Sequence, residues 1–279
     1  MRKNIFTIAL AASFLIISNL ANAGGLMVIP SRVELDDKTT SKEVRLINKG
    51  NETTTYRISF QHLRMEKDGS YKEITDKNAK ENFADDVVRF SPKQVTLKPG
   101  DVQTIRLMFK KPSDLADGEY RSHLLMKEEA PADFGKNVEK INAKNDKKIS
   151  VELKPLFGVS IPVVVTSGAT TAKVEIKSAS VAKGGKTIAV NLARSGNASV
   201  YGDLLATLTD KTTKKIYEIG GLSNVAVFSP YEERNVSINL TLPKGANLSN
   251  GTIEIGYYGK KDKETTTDKE KVLAKKVIN

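Results

Sequence analysis

One stretch, residues 148–165, constrains the fold of this chain more than any other. Its first half alternates strictly between apolar and polar side chains, and alternation with a period of two predicts a β-strand. The apolar members of that half are Ile149, Val151 and Leu153. The second half, residues 156–165, is apolar on both sides, which is typical of a strand that enters a core. Pro155 marks the change and has no N–H to donate to a neighbouring strand.

Two interpretations of this stretch are open from the pattern alone. In the first, one long strand has an exposed edge half and a buried half. In the second, two ordinary strands of a single sandwich are separated at Pro155. Proline is compatible with both, because it is found at strand edges and at breaks between strands.

The start of the chain predicts export. Arg2 and Lys3 precede an apolar run over residues 5–17, and residues 21–23, Ala-Asn-Ala, fit the small-residue rule for cleavage. The run is too short for a membrane span, so we expect a signal peptide over residues 1–23 and a mature protein from Gly24. Removal of two basic residues lowers the formal charge from +11 to +9.

The remaining pattern predicts an all-β protein with two domains. About seven strand-like segments precede Thr166, the number expected for an immunoglobulin-like sandwich. Residues 24–165 are therefore interpreted as the first domain, 166–171 as a linker, and 172–279 as a second, smaller β-sandwich. The chain has no cysteine, so both cores must hold without disulfides.

Several local features complete this interpretation. Residues 26–35 are interpreted as one extended segment, and Gly220-Gly221 as a break between two strands. Phe157 is assigned to the core half of the opening stretch, together with Val159 and Ile161.

Catalysis has little support in the sequence. The two histidines, His62 and His123, both fall in predicted strands, far apart in sequence and without metal-ligand spacing. No phosphate-binding, dinucleotide or nucleophile motif occurs, so no catalytic residue, cofactor or metal is expected. The positive charge is spread among acidic residues, and only 6% of residues are aromatic, which argues against nucleic-acid binding.

Arg32 is the most informative single side chain. It follows Pro30 and Ser31 in the first extended segment and lies between apolar residues. A guanidinium beside an apolar edge can bind a carboxylate through two parallel hydrogen bonds. The alternative is an ordinary rim arginine, with its stem packed and its head in water.

Five segments together resemble the periplasmic chaperones of the chaperone–usher pathway, the PapD-like family. Their order and spacing carry the resemblance, which is strong to Val165 and loose beyond it. The segments are Met27–Leu35, Val44–Gly50 with Thr55–Ile58, Phe90–Leu107, Asp117–Leu124 and the strand that ends in Ile161-Pro162.

The resemblance implies two immunoglobulin-like domains in a boomerang arrangement and a non-enzymatic chaperone in the periplasm. Such a chaperone binds an incomplete fimbrial or pilin subunit by lending it the last strand of the first domain, and delivers it to an outer-membrane usher without inserting into the membrane. The lent residues would be Ile149, Val151 and Leu153. Arg32 matches the family arginine that anchors the subunit carboxylate, and Lys154 is the substitute candidate for the family lysine.

The alternative function is a secreted or surface-attached adhesin with two immunoglobulin-like domains. Such a protein would need an anchor or sorting signal, and the last residues, 273–279, contain no obvious one. An exported β-sandwich enzyme is a more distant alternative.

Overall fold

The structure, a computed structural model, describes residues 25–75, 80–130, 155–260 and 267–278. These ranges form two β-sandwiches, as the sequence predicted. The strands of the first are β1 (Leu26–Ile29), β2 (Val33–Asp36), β3 (Ser41–Asn48), β4 (Thr54–Gln61), β5 (Leu63–Met65), β6 (Tyr71–Glu73), β7 (Val88–Ser91), β8 (Gln94–Leu97), β9 (Val102–Phe109), β10 (Gly118–Glu128) and β11 (Gly158–Ser167). Those of the second are β12 (Ala172–Val181), β13 (Thr187–Gly196), β14 (Val200–Asp210), β15 (Ile216–Val227), β16 (Glu233–Asn239), β17 (Gly251–Lys260) and β18 (Thr267–Ile278).

Helical structure is sparse in the described ranges. Two short 3-10 helices occur, at Ala84–Asp86 and Leu248–Asn250. The first falls in a polar segment between β6 and β7, and the second precedes β17. None of the helices in these ranges has the length and hydropathy needed to cross a bilayer.

Each sandwich consists of two packed sheets. In the first, the strand orders are β1-β3-β9-β7 and β2-β11-β10-β4-β8, and a separate hairpin joins β5 to β6. In the second, the orders are β12-β13-β16 and β15-β14-β17-β18. Alternate residues of these strands point between the sheets, so each sandwich has its own buried core. The predicted linker limits, 166–171, stay a prediction, and β11 extends to Ser167.

The first extended segment divides between the two sheets. β1 pairs antiparallel with β3, whereas β2 pairs parallel with β11 in the opposite sheet. The prediction of one strand over residues 26–35 is therefore wrong. The chain crosses from sheet to sheet at Pro30, Ser31 and Arg32, and proline cannot donate to a continuous ladder. This crossing places Arg32 at the end of the sandwich rather than within a strand.

The structure confirms only part of the prediction that residues 156–165 form a buried strand. Ile161, Val163 and Val165 are buried in the first core, and Val159 packs against it. Phe157 is 40% exposed and precedes the strand, so its assignment to the core is wrong. The carbonyl of Phe157 still accepts a hydrogen bond from the N–H of Glu128, but the residue precedes β11 and its ring lies beyond the end of the packed core.

Alanine substitution should therefore have different effects on stability at Ile161 and Phe157. Ile161→Ala is expected to lower the free energy of unfolding by about 3 kcal/mol, because it opens a cavity in a packed core. Phe157→Ala is expected to cost less than about 1 kcal/mol, because much of the ring is already in water. Urea unfolding of both variants measures the difference. Equal losses would contradict this placement of the core boundary.

Gly220 and Gly221 lie inside one long strand, β15, and do not break it as predicted. A β-carbon at Gly220 would lie 2.5 Å from the carbonyl oxygen of Asn239. The pairing register between β14 and β15 also shifts next to this point. Glycine is needed here because another backbone approaches closely, and not because the chain turns.

Candidate functional site

A cleft of about 450 Å³ lies between the two sandwiches. On the side of the first sandwich, β2, β10 and β11 contribute outward-facing residues, because alternate side chains of these strands point away from the core. On the other side, β14, β17 and β18 contribute residues of the second sandwich. The charged and aromatic residues that line the cleft are Arg32, Glu34, Asp36, Glu119, Tyr201, Lys260 and Lys271.

Arg32 is buried where the two sandwiches meet. It is 5% exposed, and its Nε donates a hydrogen bond of 2.7 Å to Glu34 Oε1. Its guanidinium carbon lies 4.6 Å from the ring centre of Tyr201 and 5.8 Å from that of Phe228, both in the second half of the chain. These are cation–π distances. Arg32 therefore contributes to the contact between the sandwiches, which the rim-arginine alternative did not anticipate.

One nitrogen of the Arg32 guanidinium makes no hydrogen bond to the described residues. Within the described ranges its buried Nη1 atom has no hydrogen-bond acceptor. A buried N–H group without an acceptor costs free energy, and a guanidinium binds carboxylates in a planar, two-pronged geometry. Nη1 can thus donate a hydrogen bond to an anionic oxygen of a ligand that enters the cleft.

An apolar contact holds the sandwiches together beside Arg32. Met65, from the β5–β6 hairpin, is buried against Ala226 and Phe228 of the second sandwich, and Tyr201 packs on this cluster. The guanidinium of Arg121 lies over the ring of Phe228, with its carbon 4.2 Å from the ring centre. Burial lowers the pKa of Arg121 from its ordinary value, although a guanidinium remains charged at neutral pH.

Two further contacts cross the same interface. Glu119 of β10 is 7% exposed and accepts hydrogen bonds from the backbone and the hydroxyl of Ser199. Glu81 accepts two hydrogen bonds from Arg64 and one from the hydroxyl of Tyr231. Burial and the hydrogen bond to Glu81 raise the pKa of Tyr231 to about 12. The buried carboxylates of Glu119 and Glu81 thus accept hydrogen bonds from the second sandwich, and Glu81 also accepts them from Arg64 of the first sandwich.

Two lysines line the side of the cleft that belongs to the second sandwich. Lys260 is buried, and its Nζ lies 2.6 Å from Asp203 Oδ1. Burial alone would raise the pKa of Asp203, but the hydrogen bonds from Lys260 and Thr267 hold it below its ordinary value. Lys271 is exposed, and no ion pair of its side chain occurs within the described ranges. Lys260 is therefore committed to Asp203, whereas Lys271 faces the cleft as an exposed cation.

The two histidines are close in space although they are far apart in sequence. His62 lies between β4 and β5 and not in a strand, which corrects the prediction, whereas His123 lies in β10. His123 is 3% exposed, and burial with the charges of Arg121 and Arg32 lowers its pKa to about 3. Its ring is therefore neutral at pH 7. No group of three or more residues with metal-ligand character occurs in the described part of the chain.

Ser122, His62 and Asp85 have the composition of a catalytic triad but not its geometry. The Oγ of Ser122 lies 3.3 Å from His62 Nδ1, and His62 Nε2 lies 3.3 Å from Asp85 Oδ2. Ser122 is completely buried, and its Oγ accepts hydrogen bonds from the backbone N–H groups of Ala84 and Asp85. A nucleophile must reach its substrate. This serine instead stabilises the 3-10 helix that starts at Ala84.

The second part of the candidate site is the edge of β11. β10 pairs with β11 from Gly158 to Ser167, whereas β2 covers its opposite edge only from Val163 to Thr166. Among the described residues, no strand pairs with that opposite edge over residues 158–162. These backbone groups are therefore available to an added strand, and a strand that continued back from Gly158 would extend the same edge.

The lent-strand residues Ile149, Val151 and Leu153 lie outside the described residues, as does the proposed anchor Lys154. Arg32 is thus the one predicted site residue that the structure describes. The sequence analysis did not single out Tyr201, Lys260 or Lys271, which lie about 170–240 positions further along the chain than Arg32. No spacing or motif connects them, since only the packing of the two sandwiches brings them to one cleft.

Comparison with known proteins gave structural neighbours only. No family model matches the chain, and no curated protein matches it. The YadV chaperone is 13% identical, with a TM-score of 0.45, and the match covers 91% of this chain and 100% of that chain. The class 5 fimbriae chaperone CfaA is 14% identical, with a TM-score of 0.42, and the match covers 91% and 99%.

A third similar structure is the CsuC–CsuE chaperone–tip adhesion subunit pre-assembly complex, from archaic chaperone–usher Csu pili of Acinetobacter baumannii. The matched chain of that complex is 13% identical, with a TM-score of 0.40, and the match covers 91% of this chain and 96% of that chain. Two of these three structures are described as chaperones, and the third as a complex of a chaperone with a tip adhesion subunit. Two of these three structures are described as belonging to fimbriae or to chaperone–usher pili.

Proposed function

We propose that this protein is a non-enzymatic periplasmic chaperone that binds subunits of a fimbria or a related surface polymer. It lends each subunit a strand from residues 148–154 and passes the subunit to an outer-membrane usher. The free energy for the process comes from folding of the subunit, so no nucleotide or other cofactor is needed. The proposal rests on the sequence resemblance and on the geometry of the cleft and the β11 edge.

The observation that carries the proposal is the uncovered edge at residues 158–162. Exposed strand edges bind other strands readily, and soluble proteins usually cover or charge them. Here the uncovered edge is continuous in sequence with the alternating residues Ile149, Val151 and Leu153. A subunit that lacks one strand can hydrogen-bond to such an edge and place the three apolar side chains in its own open groove.

Arg32 supports an anchoring role in the same complex. It lies at the cleft end of β2, next to β11, and its Nη1 nitrogen has no acceptor in the described ranges. The carboxylate at the end of a subunit could bind this guanidinium while the subunit follows the β11 edge. Lys154 stays the proposed second cation from the lent strand, and Lys271 is a further candidate because it lines the cleft.

Arg32→Ala is expected to reduce the recovery of bound subunit at least tenfold, since loss of one partner from a desolvated charge pair costs about 2–5 kcal/mol. The measurement is the amount of subunit that co-purifies from the periplasm with the tagged chaperone. Arg45→Ala is the matched control, because Arg45 is exposed on β3 and does not line the cleft. Normal recovery with Arg32→Ala would exclude the anchoring role.

A second variant is needed because Arg32 also contacts the second sandwich. Tyr201→Leu removes the cation–π partner of Arg32 but leaves the guanidinium in place. If Arg32 binds the subunit directly, Tyr201→Leu should retain most of the subunit and should bind peptides with a free C-terminal carboxylate better than amidated ones. An equal loss with both variants would mean that Arg32 acts only through domain packing.

The adhesin alternative predicts a different location. A chaperone would be recovered with its subunit from the periplasm, whereas an adhesin would be accessible to antibody on intact cells. Fractionation of cells that express the full chain distinguishes the two. The same experiment tests cleavage near Gly24 by mass spectrometry of the recovered protein.

A further inference from the structure

The end of the second sandwich that is remote from the cleft carries a concentrated positive charge. Three loops meet there: residues 182–186, 211–215 and 240–250. We call these loops the basic tip. They contain six lysines and no acidic residue, and all six lysines are exposed. The lysines are Lys183, Lys186, Lys211, Lys214, Lys215 and Lys244.

Backbone hydrogen bonds hold the three loops together. The N–H of Leu240 donates to the carbonyl of Lys186 at 2.8 Å, and the N–H of Lys211 donates to the carbonyl of Asn250 at 2.9 Å. The charges therefore belong to one surface and are not scattered over the domain. Like charges on one surface repel one another, and an anionic partner would relieve that repulsion.

One acidic residue, Asp210, adjoins this surface, and against the six lysines it leaves a net charge of +5. Asp210, at the end of β14, accepts hydrogen bonds from Thr212, Thr213 and Asn250, so its carboxylate is directed into the turn. Two acids on the adjoining strands pair with lysines outside the tip. Glu218 pairs with Lys269 at 2.7 Å, and Glu254 pairs with Lys275 at 2.9 Å.

Two exposed apolar side chains lie in or next to the same loops. Ile216, directly after the second loop, is 66% exposed, and Leu242 in the third loop is 42% exposed. Exposed apolar residues surrounded by lysines are typical of proteins that adsorb to an anionic bilayer. The apolar groups enter the headgroup region, and the cations attract the lipid phosphates.

We propose that the basic tip binds the surface of an anionic phospholipid membrane. Lysine suits this partner because it acts as a mobile point charge, whereas recognition of one defined anion favours the planar fork of arginine. The six charges are spread over three loops, which fits a diffuse array of phosphates. Such contact would hold the mature protein at a membrane without inserting it, and would leave the cleft at the opposite end free.

The test is sedimentation of the full mature protein with phosphatidylcholine vesicles, with and without phosphatidylglycerol. We expect binding only to the vesicles that contain phosphatidylglycerol, and loss of binding when salt rises from about 0.05 M to about 0.5 M, because salt screens the attraction. The triple variant Lys186→Glu/Lys215→Glu/Lys244→Glu should bind at least tenfold more weakly, as each lysine near such a surface contributes roughly fivefold. It changes one exposed lysine in each loop.

The matched control is Lys42→Glu/Lys72→Glu/Lys98→Glu, which changes three exposed lysines of the first sandwich by the same total charge. This control should retain most of the binding, and circular dichroism should show both triple variants folded. Equal weakening by both triples would overturn the proposal, because net charge alone would then explain the binding. Absence of binding to vesicles that contain phosphatidylglycerol would also overturn the proposal. If the protein bound polyglutamate and not these vesicles, the basic tip would instead bind an acidic protein partner.

Discussion

Threonine at both Ile149 and Val151 is expected to abolish recovery of the stabilised subunit and to leave the free protein folded. The two side chains alternate with polar residues, so each can fill one pocket of the subunit groove. Full burial of each contributes about 1.5–3 kcal/mol, and threonine retains the strand-forming shape while it removes much of this term. The measurement is the amount of subunit that co-purifies from the periplasm, beside the circular dichroism spectrum of the free variant.

The matched control for this variant is threonine at Val272 and Val277 of β18, which are 46% and 54% exposed on an edge strand of the second sandwich. It introduces the same kind of substitution away from the proposed binding edge and should recover a normal amount of subunit. If the Ile149/Val151 variant unfolds, or still recovers a normal amount of subunit, the assignment of residues 148–154 as the lent strand is wrong.

Asp203→Asn is expected to lower the free energy of unfolding by about 3–5 kcal/mol, the largest loss that we expect from any single substitution here. Asp203 and Lys260 are both nearly inaccessible to solvent, with 6% and 4% of their side chains exposed. Asparagine keeps the shape of aspartate but leaves the ammonium of Lys260 buried without a counter-charge. Urea unfolding monitored by circular dichroism measures the loss.

Glu218→Gln is the control, because Glu218 pairs with Lys269 while both side chains are 61% exposed. Exposed ion pairs contribute little, so this variant should unfold within error of the parent protein. A loss at Asp203 no larger than that at Glu218 would show that the Asp203–Lys260 pair is more hydrated than the structure implies. Because Lys260 also lines the cleft, subunit recovery with Asp203→Asn should be compared at a temperature at which the variant is folded.

Most strands could be predicted because their signal is local. In β9, for example, the buried residues Ile105, Leu107 and Phe109 occupy every second position and face the core. The errors occurred where a residue has two possible local explanations. Pro30 was interpreted within a strand but accompanies a change of sheet, and Gly220 was interpreted as a break but permits close packing of backbones.

The candidate site could be predicted only in outline. Arg32 was identified from its position after Pro30 and from the family resemblance, but its surroundings were not. Its contact with Tyr201 joins residues 169 positions apart, and no local pattern contains that information. The same holds for Glu119, Arg121 and His123, which alternate on the outward side of β10 and would be solvent-exposed in an isolated sandwich. They are buried because the β5–β6 hairpin and the second sandwich cover that side.

The sequence alone thus determined the all-β class, the division into two sandwiches and the alternation of the proposed lent strand, because side chains on a strand repeat with a period of two. The tertiary structure alone decided which outward-facing charges are buried, which lysines share the cleft with Arg32, and that three separate loops form one basic tip. These properties depend on contacts between distant segments, and their energies come from burial and from electrostatic interactions across space, which have no period along the chain.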